Sequence, residues 1–200
     1  FGRSAGRDDV NGYDPQTLAF YQQNADHYID DHPRDVASHI PAFLDLLPPA
    51  GTILELGCGG GIDAAYMTER GFVVDATDGV AEMAAKAERR LKRPVRIMKH
   101  HELDAFERYD AVIATASLLH VPKQDLPDIV RRISRALKPS GWHVATYKTG
   151  HAEGWDDHHR YYNYPSLEEL EACYKQAGLW SGLEIRASMG SGLFSGPCPW

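Results

Sequence analysis

The sequence is short of positive charge: 21 Lys and Arg stand against 28 Asp and Glu, a formal net charge of −7. A chain that grips nucleic acid presents a basic face to the phosphates, so no nucleic acid partner is expected. No stretch approaches the run of about 20 apolar residues that spans a bilayer, so no membrane partner is expected either, and no secretory leader is recognisable. Cysteine is scarce. Cys58, Cys173 and Cys198 are odd in number and irregular in spacing, which excludes a disulfide framework and suits a reducing, cytoplasmic setting. Spacing for a metal site is also lacking. His100-His101 have no matching ligands, and His158-His159 beside Asp156-Asp157 read as a polar loop. What remains is a 200-residue chain, a length that suits one domain with a substantial core.

Glycine, in contrast, is concentrated. Ile53–Leu56 read as a short buried strand carrying one carboxylate, Glu55, and then come Gly57, Cys58, Gly59, Gly60 and Gly61 before a helical pattern. Glycines permit positive φ and close approach of another molecule to the backbone. A glycine-rich turn feeding a helix N-terminus also offers N–H groups and a positive dipole end. A polar or anionic ligand is therefore expected here. A dinucleotide fingerprint needs G-x-G-x-x-G, but the sixth position is Ile62.

The stretch ELGCGGG resembles the first motif of class I S-adenosylmethionine-dependent methyltransferases. The resemblance implies that Glu55, Gly57, Cys58, Gly59 and Gly61 hold the methionine part of that cofactor. It also implies an α/β fold with a doubly wound, mostly parallel sheet.

Along the chain, residues 1–12 read as a mobile tail and 13–200 as one domain, with a helical cap over 13–48 and an α/β core over 51–187. Asp14–Asp30 show helical spacing at Leu18, Tyr21, Ala25 and Tyr28, and Arg34–Leu47 read as a second helix containing Pro41. The cap segment resembles that of small-molecule methyltransferases, in which an early tyrosine closes over the cofactor; Tyr21 is the matching position. Phe72–Thr77 read as the second strand, ending at Asp78-Gly79-Val80. A carboxylate at that strand end is placed to accept from both hydroxyls of a ribose, with Asp75 as the mid-strand competitor. Pro94–Lys99 form a third strand. In the resembled family an acidic residue near its end touches the adenine; here Lys99, His100 and His101 occupy the place, with Glu102 the nearest carboxylate.

Tyr109–Thr115 form a near-continuous apolar strand, as in a parallel sheet buried on both faces, and ligands collect where such strands end. Thr115 and Ala116 are therefore candidate cofactor contacts, and His120 a pocket residue. Lys123–Lys138 read as a helix and Trp142–Tyr147 as the fifth strand. The loop His151–Tyr164 carries Arg160 and Tyr161, further candidates for the acceptor pocket. Arg160 is either the partner of Asp156 or Asp157 or the group that orients an anionic acceptor. Ser166–Glu169 form a capping box opening a helix to Ala177, and Leu179–Ala187 a sixth strand. The run ASLLHVP, LKPSG and RYYNYPSLEEL looks like the tellurite-resistance type of small-molecule methyltransferase. That family has a seventh, antiparallel strand, which is not recognisable after Ala187.

Together these features point to methyl transfer from S-adenosylmethionine, leaving S-adenosylhomocysteine, to a small acceptor such as a thiol, a metalloid oxyanion or a small acid. No catalytic side chain is required by that chemistry. The alternatives are a non-enzymatic cofactor sensor or scaffold on the same fold and, disfavoured by Ile62, a nicotinamide-dependent oxidoreductase.

Overall fold

In the computed structural model, residues 12–31, 35–178, 180–187 and 193–196 are described; residues 1–11 of the tail read over 1–12, and Cys198, lie outside them. The chain runs α1 (Pro15–Asp31), α2 (Ile40–Leu44), β1 (Thr52–Leu56), α3 (Ile62–Glu69), β2 (Val73–Asp78), α4 (Ala81–Leu91), β3 (Arg96–Ile97), β4 (Tyr109–Ala114), α5 (Leu126–Ala136), β5 (Leu137–Tyr147), β6 (Gly154–Trp155), β7 (Tyr161–Tyr162), α6 (Leu167–Ala177), β8 (Glu184–Ala187) and β9 (Leu193–Gly196). No helix among the described residues is long and apolar enough to cross a membrane.

The main sheet has seven strands in the order β3-β2-β1-β4-β5-β9-β8. The first five are parallel. β9 is antiparallel to both β5 and β8. This corrects the expectation of a missing seventh strand. The strand lies at Leu193–Gly196, inside the glycine-rich C-terminal stretch, and its four residues are too few to show a period. It is held instead by ladders on both sides.

Side chains alternate across the sheet, and the two faces bury different helices. Leu54, Leu56, Val112 and Ala114 pack with Ile129, Ile133, Leu170 and Tyr174 of α5 and α6. Ile53, Ala111 and Ile113 pack with α2, α3 and α4 through Ile40, Phe43, Met67 and Ala87. Strands β1 and β4 are thus apolar throughout because both of their faces are covered.

Prolines explain two shortened helices. The expected helix 34–47 shrinks to Ile40–Leu44, and Lys123–Lys138 to Leu126–Ala136, each with proline in its first turn. There the missing N–H would have had no partner in any case. The third strand shrinks to Arg96–Ile97. The capping box on α6 forms as expected, Ser166 accepting from the Glu169 N–H and Glu169 from the Ser166 N–H.

α1 lies apart from the two main cores. Its Leu18, Tyr21 and Tyr28 pack on Ala25, Val80 and Met83, forming a third cluster. That contact roofs the carboxyl ends of the strands.

Candidate functional site

A cavity of about 490 Å³ opens between this roof and the strand ends. Its floor is the glycine turn. Gly57, Gly59 and Gly61 have φ of 75°, 54° and 73°. A Cβ on Gly57 would stand 2.3 Å from the Ser117 hydroxyl oxygen, so side chain and backbone demands both require glycine there.

The turn's amides are less available than its sequence suggests. The N–H groups of Gly57 and Cys58 donate to the Thr77 carbonyl at 2.9 and 2.8 Å, and that of Gly61 to the Cys58 carbonyl at 2.9 Å. The Gly59 N–H donates to Asp78 at 2.9 Å. Asp63 lies in the first turn of α3, where its carboxylate complements the helix dipole. Burial and the nearby Glu55 and Asp78 carboxylates hold the Cys58 thiol well above its usual range, so it stays protonated and unreactive. Negative charge thus surrounds the turn. It favours close approach by a neutral or cationic group over a pyrophosphate.

Asp78 lines the cavity. Its two oxygens each accept one backbone N–H, from Val80 and Gly59, both at 2.9 Å. Carboxylate oxygens have further lone pairs, so two more donors can be taken. Burial raises its pKa to about 6, against those two hydrogen bonds. Asp75, the competing candidate, accepts from Tyr109 at 2.6 Å and Arg96 at 2.9 Å and does not line the cavity. Gly79 and Val80 complete this wall, beside Lys99, whose ammonium sits 4.3 Å from the centre of the Tyr13 ring.

His100 is in the lining, its Nε2 2.7 Å from the Ser117 hydroxyl. Burial pushes its pKa to about 4 although a hydrogen bond to the Gly12 backbone works the other way. His101 is not in the lining; it stacks on Tyr13 at 5.6 Å. Glu102 accepts the Lys99 N–H at 2.7 Å, closing a single 3₁₀ turn, and also lies outside the lining. Glu55 likewise sits beneath the turn rather than in the cavity wall.

The β4 end supplies Thr115, Ala116, Ser117 and His120. Ala116 has φ of +50°, and its N–H donates to Thr146 at 2.8 Å. A left-handed alanine is strained; here it turns the chain so that Ser117 meets Gly57. Thr115 pairs with His39 at 3.3 Å. Tyr21 descends from the roof, its hydroxyl 3.0 Å from His120 Nε2.

The structure does not bring Arg160 and Tyr161 into the lining. Arg160 donates through Nε and Nη2 to one oxygen of Asp156, at 2.9 and 2.6 Å, and lies over the Phe20 ring at 5.0 Å. Of the two readings of Arg160, ion pairing with Asp156 is the one observed. The Tyr161 hydroxyl turns out to Glu153, while its backbone does the work: its N–H donates to Thr17 at 2.7 Å and its carbonyl lies 2.6 Å from His120 Nδ1. Among the described residues no group of three or more His, Cys, Asp and Glu is placed to hold a metal.

Several lining residues had no role in the sequence reading. Gly12, Tyr13, Asp14, Thr17 and Tyr28 all wall the cavity. Gly12, assigned to the tail, is buried, with its N–H on Asp125 at 3.1 Å. Asp14 accepts from the Thr17 N–H and hydroxyl at 2.7 and 2.8 Å. That cap was readable, since Asp14 precedes Pro15 at a helix start.

Known proteins give the same architecture. Residues 26–180 match the family described as methyltransferase domain, and the chain belongs to it. An uncharacterised methyltransferase of Mycobacterium tuberculosis is 31% identical over 118 residues, covering 56% of this chain and 58% of its own length. An O-methyltransferase of ubiquinone biosynthesis from Sodalis glossinidius is 34% identical over 96 residues, 44% of this chain and 38% of that one. The chain therefore spans little more than half the length of the curated relatives it matches, or less. Among solved structures, the 1,6-didemethyltoxoflavin N1-methyltransferase of Burkholderia thailandensis, with its substrate and S-adenosylhomocysteine bound, aligns with a TM-score of 0.69 at 21% identity over 98% of this chain and 92% of that one. A TehB-like SAM-dependent methyltransferase from Corynebacterium glutamicum aligns at 0.64 with 18% identity, over 92% and 97%. At these identities the structural likeness speaks for the fold.

Proposed function

We propose that this protein binds S-adenosylmethionine against the Gly57–Gly61 turn and transfers its methyl group to a small molecule held under α1. The observation that carries the reading is the pairing of an acid-ringed glycine turn with the buried carboxylate of Asp78 in one cavity. A sulfonium and an ammonium suit the first; a ribose diol suits the second. Membership of the methyltransferase domain family supports it. Bound there, the cofactor would supply an electrophilic methyl carbon on positive sulfur. The chain's part is to orient the two reactants and exclude water, which can account for roughly 7–11 kcal/mol of barrier.

Asp78 would take the ribose hydroxyls, while Met83 and Met98 supply apolar wall beside them. The acceptor side is the Tyr21, Tyr28 and His120 end. Small acceptors fit a cavity under a roof, and the net charge of −7 gives nucleic acid no purchase. An oxyanion oriented by Arg160 is not supported, because that guanidinium is spent on Asp156. A nicotinamide cofactor fits poorly, because its pyrophosphate would meet amides already bonded and carboxylates close by.

Calorimetry with S-adenosylhomocysteine and NAD tests the reading. Micromolar binding of the former and none of the latter is expected; tight NAD binding without any response to S-adenosylhomocysteine would sink it. Binding with no methyl transfer to any acceptor would favour a sensor over an enzyme.

A further inference from the structure

His120 is held in one tautomer. Its Nδ1 lies 2.6 Å from the Tyr161 carbonyl oxygen. That oxygen can only accept, so Nδ1 carries the hydrogen. Nε2 is then a lone pair, and the Tyr21 hydroxyl, 3.0 Å away, donates to it. The carbonyl is itself fixed, since Tyr161 is bolted to α1 through its N–H on Thr17 and Tyr162 to the imidazole through a ring contact of 4.6 Å. His120 and Tyr21 both line the cavity.

The charge around this end is also specific. Arg160 is committed to Asp156, and Lys148 lies over Tyr162 at 4.5 Å; neither lines the cavity. Lys99, which does, is at the Asp78 end. The phenolic rings of Tyr21 and Tyr28 line the cavity here, with Thr17 and the Asp14 carboxylate it is hydrogen-bonded to. An anionic acceptor would find no cation in the lining at this end, only Arg160 and Lys148 behind it and the Asp14 carboxylate within it. A neutral molecule with an acidic O–H or N–H would find one preset acceptor atom.

Resting on the proposed methyl transfer, we infer that His120 is its proton acceptor, and that the substrate is a neutral, flat O–H or N–H compound such as a phenol, which takes the place of the Tyr21 hydroxyl on Nε2. The acceptor's oxygen or nitrogen forms the new bond to the methyl carbon with its lone pair. The carbon–sulfur bond breaks and its electron pair stays on sulfur, which becomes neutral. The acceptor's proton goes to Nε2, giving an imidazolium whose Nδ1–H remains on the Tyr161 carbonyl. One positive charge thus passes from sulfur to imidazole, and the cavity's net charge is unchanged.

The surroundings keep the imidazole neutral in the empty site. Burial holds His120 down to about 4, with the charges of Arg160 and Lys148 pushing the same way and the Tyr161 carbonyl opposing. Tyr21 and Tyr162 face it as neutral phenols, both held above their usual range. His120 is therefore unprotonated at neutral pH and ready to accept. It gains its proton only as the sulfonium charge disappears.

The test uses the full chain loaded with S-adenosylhomocysteine and three probes of similar size. Phenol is expected to bind at least tenfold more tightly than anisole, which lacks the proton, and than benzoate, which is charged. In His120→Ala the phenol preference over anisole should vanish while cofactor affinity stays within twofold. A second measurement does not depend on a variant folding: nitrogen-15 spectra of labelled His120 should show the Nδ1–H tautomer. Equal binding of phenol and anisole, preference for benzoate, a preference that survives His120→Ala, or the Nε2–H tautomer would each overturn the assignment. Failure of S-adenosylhomocysteine to bind would instead remove the methyltransferase reading, and the tautomer would still report on His120 itself.

Discussion

Asp78 is where a single ionisation reaches ligand binding. Its pKa of about 6 means that the empty site begins to protonate at mildly acidic pH. Cofactor hydroxyls donating to the carboxylate would stabilise the ionised form, so binding near pH 6 should release a proton. Calorimetry in buffers of different ionisation heat should show that release at pH 6 and its absence at pH 8. Asp78→Ala should weaken S-adenosylhomocysteine at least tenfold, since charge-assisted hydrogen bonds are worth about 1.5–3 kcal/mol each. Gly57→Ala should cost at least as much, because it combines a positive φ with a 2.3 Å collision on Ser117. Crystallography or amide exchange would show a displaced turn.

At the scale of elements, termini of helices carry much of the specification. Ser166→Ala removes the hydroxyl that accepts the Glu169 N–H at 3.1 Å. Losing such a cap costs about 1 kcal/mol, and a urea midpoint shift with unchanged slope should report it. On α5, Ile133 is fully buried between sheet and helix. Ile133→Ala should cost about 2–5 kcal/mol through the cavity left behind. These features were legible because capping and apolar spacing are local. So were the glycine turn, Asp78 and the buried strands β1 and β4. What was not legible depends on contacts distant in sequence. Nothing near Tyr161 indicates that its carbonyl, not its ring, serves the site, because the partner is 41 positions away. The sequence allows Arg160 either role, and only the loop's turn, which brings Asp156 onto it, decides between them. Gly12 reads as tail because the Asp125 carboxylate that fixes it is 113 positions distant.

Among the described residues of the whole molecule, His100, His120 and His143 have their pKa lowered to about 4 by burial; His143 is fully buried, whereas His100 and His120 are partly exposed to the cavity. His143 is locked between the Val112 carbonyl and the Tyr174 hydroxyl, both at 2.9 Å. Unfolded, each would titrate near 6.5. Between those values the unfolded chain binds more protons, so stability is full above about pH 6.5 and falls as the pH drops towards 4. At 1.36 kcal/mol per pKa unit, the fully buried His143 contributes roughly 3 kcal/mol, and the two cavity histidines less because solvent screens them. Asp78 opposes them between about 6 and 3.8, being easier to bury when protonated, but it is one group against three. Urea denaturation of the cofactor-free protein should therefore show a marked loss of stability from pH 7 to pH 4.5. A flat profile over that range would show these imidazoles to be more solvated than their packing indicates.

The seating of β9 has a consequence for how the protein comes into being. β8 joins the sheet only through β9, and β9 lies between β8 and β5. A nascent chain emerges N-terminus first, so β5 and β8 leave the ribosome before the strand that connects them. Until β9 arrives, the flank of β5 carries unpaired backbone groups beside buried residues such as Val144, Ala145 and Tyr147. An open strand edge of that kind is a template for pairing with another chain. The interval between synthesis of β5 and insertion of β9 is thus when aggregation competes with folding, and slowed elongation there should lower the soluble yield.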